Sequence, residues 1–321
     1  MLSRVAENVY WMARHLERVE NTARLVGVQS ETRLDRPDRA GFFWEPALRI
    51  TGTLADFEAR GLSRTERDAT NYLISDPANP SSVLGVVSRA RENIRTLREV
   101  LPRESWEAVN ALHQVAARPG AAAPQRRDAH LREVVSCLQG MAGLFLGAMN
   151  DDAGYAFLRL GRAMERGDFA IRVLLDSIET IPDGAAERQA LDATEWIAVL
   201  KSLTAFQMYR QSLRGPVTRL DVIRFLACST TFPRALAACA AEAERALARL
   251  PGGMPAAEPV TRLFAILAAN STARDERRLA GVLALGRAEL FSLHDAVTAT
   301  YFAPPLPEPA PVAQSQTQRS A

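Results

Sequence analysis

The sequence predicts an all-α protein, a multi-helix bundle built from two related helical halves. Three observations carry this. Apolar residues recur three and four apart over long stretches. No segment alternates with period two and β-branched enrichment. Proline- and glycine-rich breaks fall at helix-length intervals. With 321 residues and 47% hydrophobic content, the chain can bury one large core or two smaller ones. Layers of antiparallel helices joined by short loops are the economical packing.

Residues 2–27 form the first helix, with Val5, Val9, Met12, Leu16, Val19 and Ala23 on one face and Glu7, Tyr10, Trp11, Arg14, Arg18 and Asn21 on the other. Gly27 and the polar run from Gln29 to Arg39 end it, and the Pro37 region is a connection. A second helix spans Phe42 to Asp56, with Pro46 in its first turn. A shorter one covers 63–75, where Ser63 and Glu66 have capping-box spacing. After the Asp76-Pro77-Ala78-Asn79-Pro80 break, Ser81 or Ser82 caps a helix reaching Val100. Helices at 103–117 and 127–148 flank the loop at 118–125.

The second half follows with helices at 151–180, 187–212, 218–228, 232–250, 257–272 and 274–299, punctuated at Pro182, Gly215-Pro216 and Pro251-Gly252-Gly253. The expected division is 1–149, 150–302 and a flexible, proline-rich and then Gln/Ser/Thr-rich tail at 303–321.

Lysine and arginine number 39 against 37 acidic residues, a balance that argues against bulk nucleic-acid binding. Lys201 is the only lysine. Coding bias accounts for much of the arginine preference, while guanidinium forks also suit paired carboxylates. Cys137, Cys228 and Cys239 have no CxxC spacing and sit in apolar helical stretches, as buried thiols do. His15, His113, His130 and His294 are scattered, so neither a metal site nor a cofactor is expected. No stretch approaches 18 uninterrupted apolar residues and no secretory signal opens the chain, so a cytoplasmic protein with no membrane contact is expected.

One motif occurs twice. Arg14-His15-Leu16-Glu17-Arg18-Val19-Glu20-Asn21-Thr22-Ala23-Arg24 aligns with Arg162-Ala163-Met164-Glu165-Arg166-Gly167-Asp168-Phe169-Ala170-Ile171-Arg172, with arginine, glutamate and acid positions matched at a constant offset of 148 residues. A duplication accounts for this. Each motif helix has an apolar and a charged face. The charged faces either meet solvent and one another in structural salt bridges, or converge to grip a carboxylate, phosphate or partner chain. A third cluster, Arg89, Arg91, Glu92, Asn93, Arg95 and Arg98, echoes the motif through Glu92-Asn93.

The opening Met1-Leu2-Ser3-Arg4-Val5-Ala6-Glu7-Asn8-Val9-Tyr10-Trp11-Met12-Ala13-Arg14, continued through Arg24, resembles the start of the bacterial alpha-E domain family, a domain of unknown function. Further matching blocks are Trp44-Glu45-Pro46, Arg89-Ala90-Arg91-Glu92-Asn93-Ile94-Arg95, Phe157 to Arg166, and Phe232-Pro233-Arg234. Gly167 departs from the pattern, standing where alanine is usual. The resemblance implies a helical protein encoded beside, or fused to, a circularly permuted ATP-grasp protein and often near a transglutaminase-like peptidase. That company implies a peptide or amide-bond synthesis or modification pathway.

Two functions follow. In the first, the chain is a non-catalytic partner of an ATP-grasp ligase. Arg14, Arg18, Asn21, Arg24, Glu92, Arg162, Arg166 and Arg172 would then bind an anionic peptide or protein. The lack of a glycine-rich phosphate loop, a metal triad or a nucleophile and base pair favours it. In the second, it is a helical enzyme acting on peptide or amide substrates, with Glu17 or Glu165 as general base. Adjacent arginines would depress that base's pKa and oppose the second reading.

Overall fold

A computed structural model describes residues 2–35, 42–181 and 189–303, and every regular element among them is helical. The Pro37 connection, the Pro182 break and the tail beyond Ala303 lie outside the described residues.

The first helix, α1 (Ser3–Asp35), runs eight residues past the end expected at Gly27. It continues through Gly27 because its last turns are anchored from outside: Gln29 donates to the Phe43 carbonyl at 2.7 Å, and Ser30 accepts from Arg127 at 3.1 Å. The expected second helix is two, α2 (Glu45–Thr51) and α3 (Leu54–Ala59), separated where Gly52 takes φ +73°. A left-handed residue there ends α2 and costs glycine nothing. Helix α4 (Glu66–Ile74) is capped by Thr65, whose hydroxyl accepts from the Asp68 N–H, and not by Ser63.

Ser82 caps α5 (Val83–Thr96), and α6 (Glu104–Ala116) and α7 (Pro124–Ala148) follow. Asp152 caps α8 (Ala153–Thr180). The next predicted helix also divides, into α9 (Gln189–Ser202) and α10 (Phe206–Ser212), at Thr204, whose φ is +54°. The rest are α11 (Arg219–Cys228), α12 (Leu236–Leu247), α13 (Gly253–Ala256), α14 (Glu258–Asn270) and α15 (Glu276–Val297). A π-helical turn at Thr298–Phe302 follows α15 directly.

Helices α1 and α8 form the axis of the molecule. Alpha-1 packs against α5 and α7, and α8 against α12 and α15. The short helix after each axis helix crosses to the other, α2 onto α8 and α9 onto α1. Contacts advance together along the pair: Tyr10 meets Gly161, Arg14 and Arg18 meet Glu165, and Leu25 and Thr32 share a hollow with Val173 and Thr180. The axis pair is therefore parallel, unlike the antiparallel layers expected from short loops. Helices α12 and α15 run antiparallel to α8: Arg159 pairs with Glu242 while Gly167 approaches Leu236 and Cys239, and Gly167 approaches Leu290 while Ile171 approaches Gly286.

The two axis helices are buried on more than one face. Val9, Met12 and Val19 are covered on the predicted apolar side of α1, but so are Tyr10 and Asn21 on the other. Close approach is possible because position 161 is glycine. A Cβ there would run into the Tyr10 carbonyl oxygen and the Ala13 side chain. No helix among the described residues is long and apolar enough to cross a membrane.

Candidate functional site

The two similar motifs face each other across the axis pair, and each motif's glutamate is held by the other motif's arginines. Glu165 accepts from Arg14 Nε at 3.0 Å and from Arg18 Nε and Nη2 at 2.6 and 2.9 Å. Arg172 Nη2 stands 3.9 Å from the same carboxylate. Glu17 pairs with Arg166 Nε at 2.9 Å, Arg162 Nε at 3.4 Å and Arg234 Nη1 at 2.7 Å. In both cases the grip comes from arginines three residues before and one residue after the equivalent glutamate. On a helix, those positions flank the glutamate's own and reach together to the neighbour.

Both glutamate side chains are almost fully covered, Glu165 at 0% and Glu17 at 3% exposure. Burial alone would raise their pKa values. The arginines more than offset it: Arg18, Arg14 and Arg172 hold Glu165 at about 2, and Arg234, Arg166 and Arg162 hold Glu17 at about 2. A carboxylate so held is a poor proton acceptor near neutrality, which weighs against either as a general base.

A second tier repeats the correspondence. Arg24 pairs with Glu20 and Arg172 with Asp168, each one helical turn apart. Arg234 reaches Glu20 at 2.9 Å and donates to Asn21 Oδ1 at 2.7 Å. Arg287 reaches Asp168 at 3.2 Å. The third cluster does not join: Glu92 is exposed and pairs with Arg95 on its own helix. Its neighbour Asn93 serves α1 instead, bonding His15 Nδ1 at 3.0 Å and donating to Asn8 at 3.2 Å. Burial, more than the nearby Arg18 and Arg89, lowers the His15 pKa to about 4.

The two clamps open differently. Beside Glu17, Leu138, Met141 and Phe145 of α7 leave a hollow of about 30 Å³, room for little more than one water. Beside Glu165 lies a cleft of about 440 Å³ lined by Arg14, Arg18, Arg49, Arg172 and Arg287, with Asp168, Asp176 and Glu179. Arg14 stacks on Trp11 with its guanidinium carbon 5.1 Å from the ring centroid and donates to the Tyr10 hydroxyl, which bonds His294. Arg49 binds Asp176 at 2.7 Å and Glu45 at 2.6 Å. Arg172 also donates to the Ile50 carbonyl at 2.6 Å, tying the last turn of α2 to α8.

Sequence reasoning placed Arg14, Arg18, Glu17, Arg162, Glu165, Arg166 and Arg172 in this network. It missed Arg49, Arg234 and Arg287 as site residues. The Phe232-Pro233-Arg234 block was the available signal for one of them. The three cysteines are not uniformly buried: Cys239 is enclosed, whereas Cys137 and Cys228 are partly exposed. No group of three or more potential metal ligands occurs among the described residues.

A family model described as "a predicted alpha-helical domain with a conserved ER motif" matches residues 1–302. Several Glu-Arg dipeptides occur in the chain, but among the described residues only Glu17-Arg18 and Glu165-Arg166 have a buried glutamate. Uncharacterized proteins of Mycobacterium bovis and Mycobacterium tuberculosis are each 24% identical over 277 residues, or 80% of this chain. The match takes in 31% of each relative, so the chain spans about a third of their length. No solved structure matches the chain.

Proposed function

This chain belongs to the Alpha-E family, and we propose that it is an accessory protein that binds an anionic peptide or partner for an ATP-grasp ligase in an amide-bond-forming or modifying pathway. The observation that carries the binding half is the end of the cleft beside Glu165, where Arg14, Arg18, Arg172 and Arg287 stand against Glu165 and Asp168. Guanidinium groups already fixed by ion pairs lose little freedom when they take a further carboxylate, so such a surface favours carboxylate ligands. The ligase as partner rests on the resemblance in sequence. The matched clamps also support reading the chain as a duplicated helical unit divided near residue 149, and the protein as cytoplasmic is part of the same proposal.

In this reading the two glutamates are frame and the cleft arginines are the working surface. Glu17 and Glu165 fix the mutual register of α1 and α8, and through them the positions of Arg14, Arg18 and Arg172. The general-base alternative would need one carboxylate with a raised pKa, and both are depressed.

Co-purification with the neighbouring ATP-grasp protein, followed by ATP consumption on candidate peptides with and without this chain, tests the proposal. Expected is association and stimulation that Arg49→Ala plus Arg287→Ala abolishes without lowering the melting temperature by more than a few degrees. Turnover of a peptide by this chain alone, lost in a well-folded Glu165→Gln variant, would replace the accessory role with an enzymatic one.

A further inference from the structure

The cleft beside Glu165 has two unlike ends. At one end Arg14, Arg18, Arg172 and Arg287 stand against only Glu165 and Asp168. At the other, Arg49 is the single arginine lining the cleft, against Asp176, Glu179 and Glu45, the last shared with Arg64. From Asp168 to Glu179 is three turns of α8, about 16 Å. Between them lie Leu175, Ile50 and Thr51, with Arg172 tied to the Ile50 carbonyl and to Asp168. The charge separation runs along the cleft, not across it.

Several donors at the cationic end are uncommitted among the described residues. Arg18 spends Nε and Nη2 on Glu165 and retains Nη1. Arg287 spends Nε on Asp168 and retains both terminal nitrogens, and its side chain is 39% exposed. At the acidic end Glu179 is exposed and makes no ion pair within 4 Å among the described residues.

We propose that the cleft holds a short peptide, about four residues long and extended, by its two ends. Its C-terminal carboxylate lies on Arg18 and Arg287 and its N-terminal ammonium on Glu179. An extended chain advances roughly 3.3 Å per residue, so four residues with their terminal groups span the distance between the two charge centres. This deepens the binding reading above and rests on it: the anion recognised is a main-chain terminus, and side-chain acidity is secondary. The paired charges also define polarity, since a reversed peptide would set like against like at both ends.

Isothermal titration of the full chain with four peptides separates these ideas: tetra-alanine with free termini, its N-acetyl form, its C-terminal amide, and a doubly blocked tetrapeptide carrying two glutamates. Expected is binding of free tetra-alanine, weakened at least tenfold by either block. Arg287→Ala should reproduce the loss caused by amidation and Glu179→Gln that caused by acetylation, with melting curves confirming that both variants are folded. If the doubly blocked glutamate peptide binds as tightly as free tetra-alanine, recognition of termini is wrong while carboxylate binding stands. If none of the four binds, both the inference and the peptide-binding reading fall.

Discussion

The two clamps are built from the same residues at the same spacing, yet one is closed and the other open. Around Glu17 the third arginine, Arg234, arrives from the segment before α12, is 7% exposed, and fastens Glu17, Glu20 and Asn21 together. Around Glu165 the third arginine is Arg172, about two turns along the same helix, and it stands farther off at 3.9 Å. It pairs with Asp168 and donates to the Ile50 carbonyl, and it lines the cleft. One arginine brought in from elsewhere seals a site. Its absence leaves cationic groups with donors to spare. Buried ion pairs repay their desolvation poorly, so their value here is in fixing register more than in net stability.

The difference is open to direct attack. Glu17→Ala takes the ion-pair partner from Arg166 and Arg162 and one of two carboxylates from Arg234, and should cost about 3–5 kcal/mol in denaturant unfolding. Glu165→Ala should cost less, and millimolar acetate or chloride entering through the cleft should restore part of it. Equal losses with no anion response in either variant would show that the two clamps are energetically alike.

Acid sharpens the comparison in two windows. His15 is held neutral, with a folded-state pKa of about 4 against the usual 6.5. Between those values the unfolded chain binds a proton that the native chain does not, so stability falls as pH drops, by up to about 3 kcal/mol. His15→Gln should flatten that segment of the stability curve. Below pH 4.5 the depressed carboxylates take over: the unfolded chain gains protons before Glu17 and Glu165 do, and stability is lost as pH falls toward 2. That second descent should be shallower in Glu165→Ala.

Two glycines of α8 give smaller effects. Gly161→Ala should cost about 1–3 kcal/mol, because its methyl meets backbone of α1 at the closest approach of the axis pair. Gly167→Ala should be neutral within about 0.5 kcal/mol. Its methyl would lie 3.2 Å from the end of the Leu290 side chain, which can yield, and the helix gains about 1 kcal/mol. Thermal melts of both variants measure the contrast.

The reciprocal grip was within reach of the sequence because each half of it is a spacing along one helix. Arg14, Glu17 and Arg18 repeat as Arg162, Glu165 and Arg166, and a helix turns such spacing into a shared face. The completing residues were out of reach for the opposite reason. Arg234 meets Asn21 from 213 positions away, Arg49 meets Asp176 from 127, and Arg287 meets Asp168 from 119. No local periodicity encodes such distances. Gly52 and Thr204 divide helices whose apolar pattern continues across the break. The parallel axis pair was hidden by a sound rule, since short loops do join antiparallel neighbours. Here whole layers of helices make the return.

Parallel pairing also sets a timetable. Helix α1 is synthesised before α8, but the groups that neutralise Glu17 lie on α8 and before α12. At the usual pace of translation, about 5–20 residues per second, Arg234 emerges on the order of ten to forty seconds later. An apolar helix waiting that long would expose a sticky surface. The glutamates and arginines buried at the axis of the finished protein keep the early chain compatible with water until its counterpart arrives.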